Sequence, residues 1–369
     1  MLSRELLLVL ILSCAPALAQ SLTGGIQEAI NALPQPDGGV VTVSSSVQIA
    51  QTIFITNLQN ITVRCLSGVA ISVPPGSNFP IFKGTGFKNT VITGCNLVGP
   101  GAHYVSGSQP VLFFVGGDTL TIDHNQISGA AFDGMYLSGL KPTSNVYVHD
   151  NVVTGSGANG IECDAINCVV YNNTSNSNGY MGIEVYAPGN NAVVSSNVTQ
   201  SNGRNGINIQ SDPTTGSVHH VVITNNTTTD NLANGIQIGG LATFPIHHIT
   251  ILNNTVLRNV NVGINLNYTD LPIISNNTVQ DNNFNHFSWS GGINFSGKVT
   301  NGILQANTVG NITSAGQQQY GIKIGDSNSI NNLILNNSLA GNKVGPFYSV
   351  VPSTIVAPPS GNQILIGNN

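Results

Sequence analysis

Charge is what this chain has least of. Ten Lys and Arg and 15 Asp and Glu make up 7% of its 369 residues, against roughly 25% in an average soluble protein. Four Arg and six Lys, with a net charge of −5 and no basic run, exclude a nucleic-acid partner held through phosphate contacts. Charged helical faces are missing too, and 49 Asn with 42 Gly stand in their place, which excludes a helical bundle or coiled coil. Disorder is excluded because Ile, Val and Leu recur at regular intervals throughout. Long apolar runs are absent after the first 20 residues, so no segment reaches the roughly 18 to 20 apolar residues of a membrane span.

The opening residues Met1–Ala19 carry Arg4, an apolar stretch Leu6–Leu12 and the small-x-small site Ala17-Leu18-Ala19 before Gln20. This is the pattern of a secretory signal peptide, and it predicts a secreted, periplasmic or cell-surface protein. Lipid attachment at Cys14 is the alternative reading of the same segment. Four cysteines follow, at 65, 95, 163 and 168. Export permits disulfides, and no C-x2-C spacing supports zinc.

What is present is a repeat. The pattern V-x-I-x-x-N-x-(V/I) places Asn at 125, 151, 173, 197, 226, 254 and 277, with weaker copies at Asn307 and Asn337. A glycine opens G-(I/M)-x-(V/I/L) at 134, 160, 182, 206, 235, 263, 292 and 321. Six successive Asn-to-Gly offsets are nine residues, whereas the repeat interval runs from 22 to 29, so a core of fixed cross-section is joined by connectors of variable length. Each half alternates apolar and polar residues, the period of a strand. Short strands with bends at this spacing predict a single-domain, all-β parallel β-helix of about 11 or 12 turns. Equivalent residues of successive turns then stack about 4.8 Å apart. The recurrent Asn becomes an internal ladder of side-chain amides. Stacking also aligns Cys65 with Cys95 one turn apart and puts Cys163 and Cys168 on either side of a short bend, which predicts those two disulfides. Residues 20–40, with helical spacing before a strand, are expected to cap the coil at residues 41–343, and residues 344–369 to form a tail.

The opening Ile26-Gln-Glu-Ala-Ile-Asn-Ala-Leu33, then Gly38-Gly-Val-Val-Thr-Val43, followed by these repeats, resembles the pectin-lyase-like right-handed β-helix superfamily. The resemblance covers nearly all of residues 24–340. It implies a right-handed coil and leaves activity open, because that superfamily holds lyases, hydrolases, epimerases, tailspikes and noncatalytic surface proteins.

Reading columns down the coil gathers candidate chemistry. Two residues after each repeat glycine stand Tyr136, Glu162, Glu184, Asn208, Gln237, Asn265, Asn294 and Lys323; four after stand Asp164, Tyr186 and Gln210. Glu162, Asp164 and Glu184 are therefore expected to meet on adjacent turns, beside Asp133, Tyr136, Tyr186, Asn208 and Arg204. Carboxylates this close raise a pKa or take a cation, here Ca2+. The expected chemistry is polysaccharide hydrolysis, elimination or epimerisation, with Glu162, Asp164, Glu184, Tyr186 and Asp133 as catalytic groups or, for the first three, metal ligands. Tyr136, Arg204 and Asn208 would bind the sugar. The resemblance adds two partial matches. Asp133-Gly134 is similar to the first acid of polygalacturonase-like members, but Asn159-Gly160 stands where the second is expected. Glu162 and Asp164 occupy places that in alginate-epimerase-like members hold an acid and a His. The alternative function is a noncatalytic glycan-binding or adhesive surface protein.

Two further groups carry readings. Asp123, His149, Tyr171 and Ser195 form a column two before each Asn, read as surface hydrogen bonding with acid/base machinery as the alternative. His219-His220 and His247-His248 lie one turn apart and suit Zn2+ or Cu2+; however, His220 and His248 also occupy a column of Asn145, Asn167, Asn191, Asn301 and Asn331, which gives them a structural role in a second bend ladder. Asn-x-Ser/Thr sequons at Asn60, Asn172, Asn197, Asn225, Asn253, Asn276 and Asn311 are expected to belong mostly to the Asn ladder and so to be shielded from modification.

Overall fold

A computed structural model describes residues 21–137, 143–284, 290–314 and 316–351, with the backbone pairing of short strands at 7–8, 353–354 and 363–366. The residues expected to form a signal peptide, apart from the pairing at 7–8, and most of the expected C-terminal tail lie outside the described residues. The chain divides into two compact units, Met1–Thr174 and Ser175–Asn369. Each is a parallel β-helix, nearly all β, with three strands per turn that build three sheets.

One turn of the first unit shows the plan. Sheet A takes Ser144–His149, sheet B takes Val152–Thr154 after a two-residue corner, and sheet C takes Ile161–Cys163 after a longer connector. Each strand pairs in parallel with its counterpart one turn away, as Met135↔Ile161 and Leu137↔Cys163 do in sheet C. Inward residues form columns of completely buried apolar side chains, in the second unit Ile183, Ile207, Ile236, Ile264, Ile293 and Ile322. Burying each contributes roughly 1.5–3 kcal/mol. The repeat glycine begins the sheet C strand because there is no room for a side chain: a Cβ on Gly134 would lie 2.4 Å from Val153 and 2.6 Å from the Gly160 carbonyl oxygen.

The corner between sheets A and B has two residues with opposite duties. The first takes the left-handed conformation, with φ of 57° at Asn225 and Asn253, which Asn tolerates better than most residues. The second is the ladder Asn, about 1% exposed at 125, 151, 173, 197, 226, 254 and 277. Its side-chain oxygen accepts the backbone and side-chain N–H of the Asn one turn earlier, as in Asn125 to Asn151 at 2.9 and 3.1 Å. Its own Nδ2 donates to a sheet A carbonyl, Ile122 in the case of Asn151 at 2.8 Å. This corrects the sequon expectation: Asn172, Asn225, Asn253 and Asn276 are the exposed left-handed residues, and of the ladder only Asn197 among the seven is shielded. The column of Asn145, Asn167, Asn191, His220, His248, Asn301 and Asn331 is likewise left-handed, with φ from 56° to 59°. In each unit these residues stand at the start of sheet A: Asn167 donates to Asn145 in the first, and the His220 and His248 rings stack at 4.8 Å in the second.

A second interior ladder runs through the second unit at the bend between sheets B and C. Asn178, Asn202, Asn231, Asn259 and Asn282 are joined by Nδ2-to-Oδ1 bonds of 2.9–3.0 Å. The disulfides Cys65–Cys95 and Cys163–Cys168 are both formed, with Cα separations of 4.8 and 6.7 Å. A helix at Ile26–Asn31 buries Ile26, Ala29 and Ile30. Gln27 on it accepts from the Phe54 N–H at 2.6 Å and donates to the Phe54 carbonyl at 3.1 Å, which closes the edge of the first sheet C strand. Among the described residues no helix is long and apolar enough to cross a membrane.

Candidate functional site

In the first unit the outer face of sheet C carries Phe54, Lys83, Phe113, Tyr136 and Glu162 in register. Four aromatic rings make a continuous shelf there. Phe113 meets Tyr136 edge-on at 5.4 Å, Tyr136 lies 6.3 Å from Phe132, and Phe132 stacks on Tyr104 at 5.3 Å. The Lys83 ammonium sits 4.9 Å from the Phe113 centroid, a favourable cation–π position. Glu162, half-buried, follows Tyr136 in register, and its Oε2 accepts from Asn159 Nδ2 at 2.7 Å. Of the other predicted acids of this unit, Asp133 is completely buried and Asp164 is 4% exposed. Asp133 Oδ1 accepts the Asn159 backbone N–H at 2.7 Å across one turn, so this carboxylate fixes the connector that presents Asn159 to Glu162.

In the second unit Glu184 is 9% exposed and accepts from Asn208 Nδ2 at 2.6 Å. Asn208, itself 2% exposed, in turn accepts from Asn205 at 3.2 Å. Tyr186 reaches along the same face and donates its hydroxyl to Asp212 Oδ2 at 2.5 Å. Asp212 is a residue that the columns do not contain. Its Oδ1 accepts the N–H groups of Thr214 and Thr215, both at 2.8 Å. The Tyr186 hydroxyl above all, with these N–H groups, holds the Asp212 carboxyl below the usual carboxylate range. Arg204 is exposed and packs its guanidinium 4.4 Å over the Tyr180 ring. Further along, the outer column becomes a run of amides: Asn234 and Asn265 both donate to Gln237 Oε1 at 2.8 Å, and Asn294 donates to Asn265.

A second concentration of proton-transfer groups lies between sheets C and A of the second unit. A cleft of ≈ 300 Å3 is lined by His247, Tyr268, Asp270 and Lys298 among others. His247 Nδ1 is 3.6 Å from Asp270 Oδ2. Burial works to raise the Asp270 pKa, but hydrogen bonds from Thr300, Asn301 and His247 hold it below its ordinary value. His219, one turn before His247, is pushed down by burial and then by its three neighbouring histidines.

Sequence comparison matches the right-handed β-helix region family over residues 35–214 and 186–355. No curated protein sequence matches the chain. Among solved structures, the A-module of the mannuronan C-5 epimerase AlgE4 of Azotobacter vinelandii is similar, with a TM-score of 0.73 at 16% identity over 89% of this chain and 95% of that one. The A-module of the AlgE6 epimerase of the same organism gives 0.72 at 17%, over 92% and 96%. The catalytic unit of a GH87 α-1,3-glucanase from Streptomyces thermodiastaticus gives 0.57 at 13%, over 89% and 64%. At these identities the likeness carries the fold.

Proposed function

The chain is a member of the right-handed β-helix family, and on that premise we propose that it is an exported carbohydrate-active protein that binds a polysaccharide along the outer face of sheet C. The observation that carries this reading is the shelf of Tyr104, Phe132, Tyr136 and Phe113 leading to Glu162. Flat apolar rings beside a polar rim suit sugar rings, which offer C–H faces to stack and hydroxyls to bond. The names of the similar structures, two mannuronan C-5 epimerase modules and an α-1,3-glucanase, support the same substrate class.

On this reading Glu162 is the acid or base at the end of the shelf, and Asn159 orients its carboxylate. Tyr186, held by Asp212, offers a positioned phenol on the second unit, and Glu184 with Asn208 a buried carboxylate–amide pair. Lyase, epimerase and hydrolase chemistry all require such an acid and base. A noncatalytic glycan-binding surface is the second reading. It is favoured by the burial of Asp133, Asp164 and Glu184, which leaves Glu162 as the accessible carboxylate of the five proposed catalytic side chains.

The test is a polysaccharide panel, with and without EDTA, scored for reducing ends and unsaturated products. The protein is compared with Glu162→Gln, Tyr136→Ala and His247→Gln. Turnover lost in Glu162→Gln and kept in His247→Gln supports the shelf as the active site, and the reverse moves the chemistry to the His247–Asp270 cleft. Loss with EDTA that Ca2+ and not Zn2+ restores supports a bound Ca2+. Binding without turnover, weakened only by Tyr136→Ala, leaves the glycan-binding reading.

A further inference from the structure

Away from sheet C, titratable side chains gather once more in the first unit, at the corner between sheets A and B. From Thr93 onward each turn ends sheet A with one outer residue and then one left-handed corner residue before an inward Asn, or before Cys95 in the first case. In two successive turns these are Asp123-His124 and His149-Asp150, the same pair in opposite order. In the neighbouring turns the two places hold Thr93-Gly94, Tyr171-Asn172 and Ser195-Ser196, with neither acid nor imidazole. Because Asp123 pairs with His149 in register, the swap sets a carboxylate beside an imidazole both along the chain and across the turn. His124 Nδ1 lies 2.7 Å from Asp123 Oδ2, His149 Nδ1 lies 2.7 Å from Asp150 Oδ2, and His124 Nε2 lies 4.0 Å from the same oxygen.

We propose that Asp123, His124, His149 and Asp150 form a binding site for a divalent transition metal of the Zn2+ class. Two imidazoles and two carboxylates are a borderline donor set that fills a four-coordinate sphere. One atom each from Asp123, His124 and His149 already lie within 4.8 Å of one another. Ligand atoms about 2.1 Å from a tetrahedral Zn2+ lie roughly 3.4 Å apart, within the 4.8 Å spread of these three atoms. Small side-chain rotations at a solvent-facing corner close the remaining difference, since His124 is 63% exposed.

The surroundings are those of a supported site. The His149 ring stacks on Tyr171 at 4.6 Å and 17°, the Thr93 hydroxyl donates to Asp123 Oδ2 at 3.0 Å, and Asn172 donates to Asp150. Such outer partners orient metal ligands. Stability alone accounts poorly for the cluster, because exposed ion pairs contribute little. A metal binds imidazole nitrogen and carboxylate oxygen in their deprotonated forms, so binding weakens in acid.

The experiment is calorimetric titration of the mature chain with ZnCl2 at pH 7.5, in a His219→Gln/His220→Asn/His247→Gln/His248→Asn background that removes the other imidazole cluster. The expected result is one Zn2+ per chain, with affinity reduced about 10- to 100-fold in His124→Gln and in Asp150→Asn. Asp150→Asn leaves the His149–Tyr171 stack in place, and the circular-dichroism spectrum of each variant confirms its fold. Absence of binding in the background chain, or binding undiminished in both corner variants, overturns the proposal.

Discussion

The Tyr186 hydroxyl donates to Asp212 Oδ2 over 2.5 Å, joining residues 26 apart in sequence. The bond fixes the phenol on the outer face and keeps the Asp212 carboxyl low. A carboxyl whose folded pKa is depressed contributes stability that is present above its unfolded value, about 3.9, and lost as pH falls through the folded value. Tyr186→Phe should therefore narrow the stability difference between pH 5 and pH 2, measured by urea denaturation at each pH. If Tyr186 acts in turnover, the same variant loses about 10^2- to 10^4-fold in kcat with its fold intact.

His124 has the opposite sign. The Asp123 hydrogen bond raises its pKa above the ordinary 6.5, so its contribution is complete below the unfolded pKa and disappears as pH rises through the folded one. Asp123→Asn should return the His124 titration, followed by NMR, towards 6.5. An unchanged midpoint would show that the pair is not formed in solution.

Glycan binding should depend on the shelf. Tyr136→Ala removes the ring next to Glu162 and should cost about 0.5–1.5 kcal/mol of affinity, up to roughly tenfold in Kd. Thermal unfolding should change little, because the lost side chain faces outward.

Neighbouring asparagines at one corner should differ sharply. Asn226 donates to the Val194 carbonyl and to Asn254 Oδ1, at 2.8 and 3.0 Å, and accepts two bonds from Asn197. Asn226→Ala strands these buried groups and should cost about 3 kcal/mol or more. Asn225→Gly, at φ 57° and exposed, should be nearly neutral. Denaturant midpoints of the two variants decide the point, and equal losses would remove the ladder from the account.

The disulfides should rank by the chain they enclose. Cys65 and Cys95 are separated by 30 residues, and Cys163 and Cys168 by five. Chain-entropy arguments give about 3–4 kcal/mol for the first and about 2 kcal/mol for the second. Double Cys→Ala variants of each pair test the order.

The coil, the Asn ladder and both disulfides are legible in the sequence because the nine-residue offset from Asn to Gly holds through six successive repeats while the repeat interval varies. The second ladder is legible in principle, since Asn178, Asn202, Asn231, Asn259 and Asn282 each follow a ladder Asn by five residues. It is hidden in the first unit, where Ala130 and Ser156 hold those places. The sequons mislead because corner and ladder asparagines adjoin, and only the sign of φ separates the exposed one from the buried one. Asp212, Phe132 and Tyr104 escape column reading because connectors deliver them, and connectors follow no period. Phe113 and Lys83 stand in sheet C strands that precede the first ladder Asn, where the repeat pattern gives no register. Asp270 is obscured by Pro272, which splits its sheet A strand into Thr269–Asp270 and Ile273–Ser275.

Between ladder asparagines the bonds run one way, from each Asn to the Oδ1 of the Asn in the turn that follows, while Nδ2 also donates back to a sheet A carbonyl. The ladder thus has a direction, and every coil offers its predecessor the same Oδ1. Excising residues 226–253 would present Asn197 with the oxygen of Asn254 in place of that of Asn226. Length in this molecule is accordingly a whole-number variable, which the chain can change by deletion or duplication of entire coils without redesigning a junction.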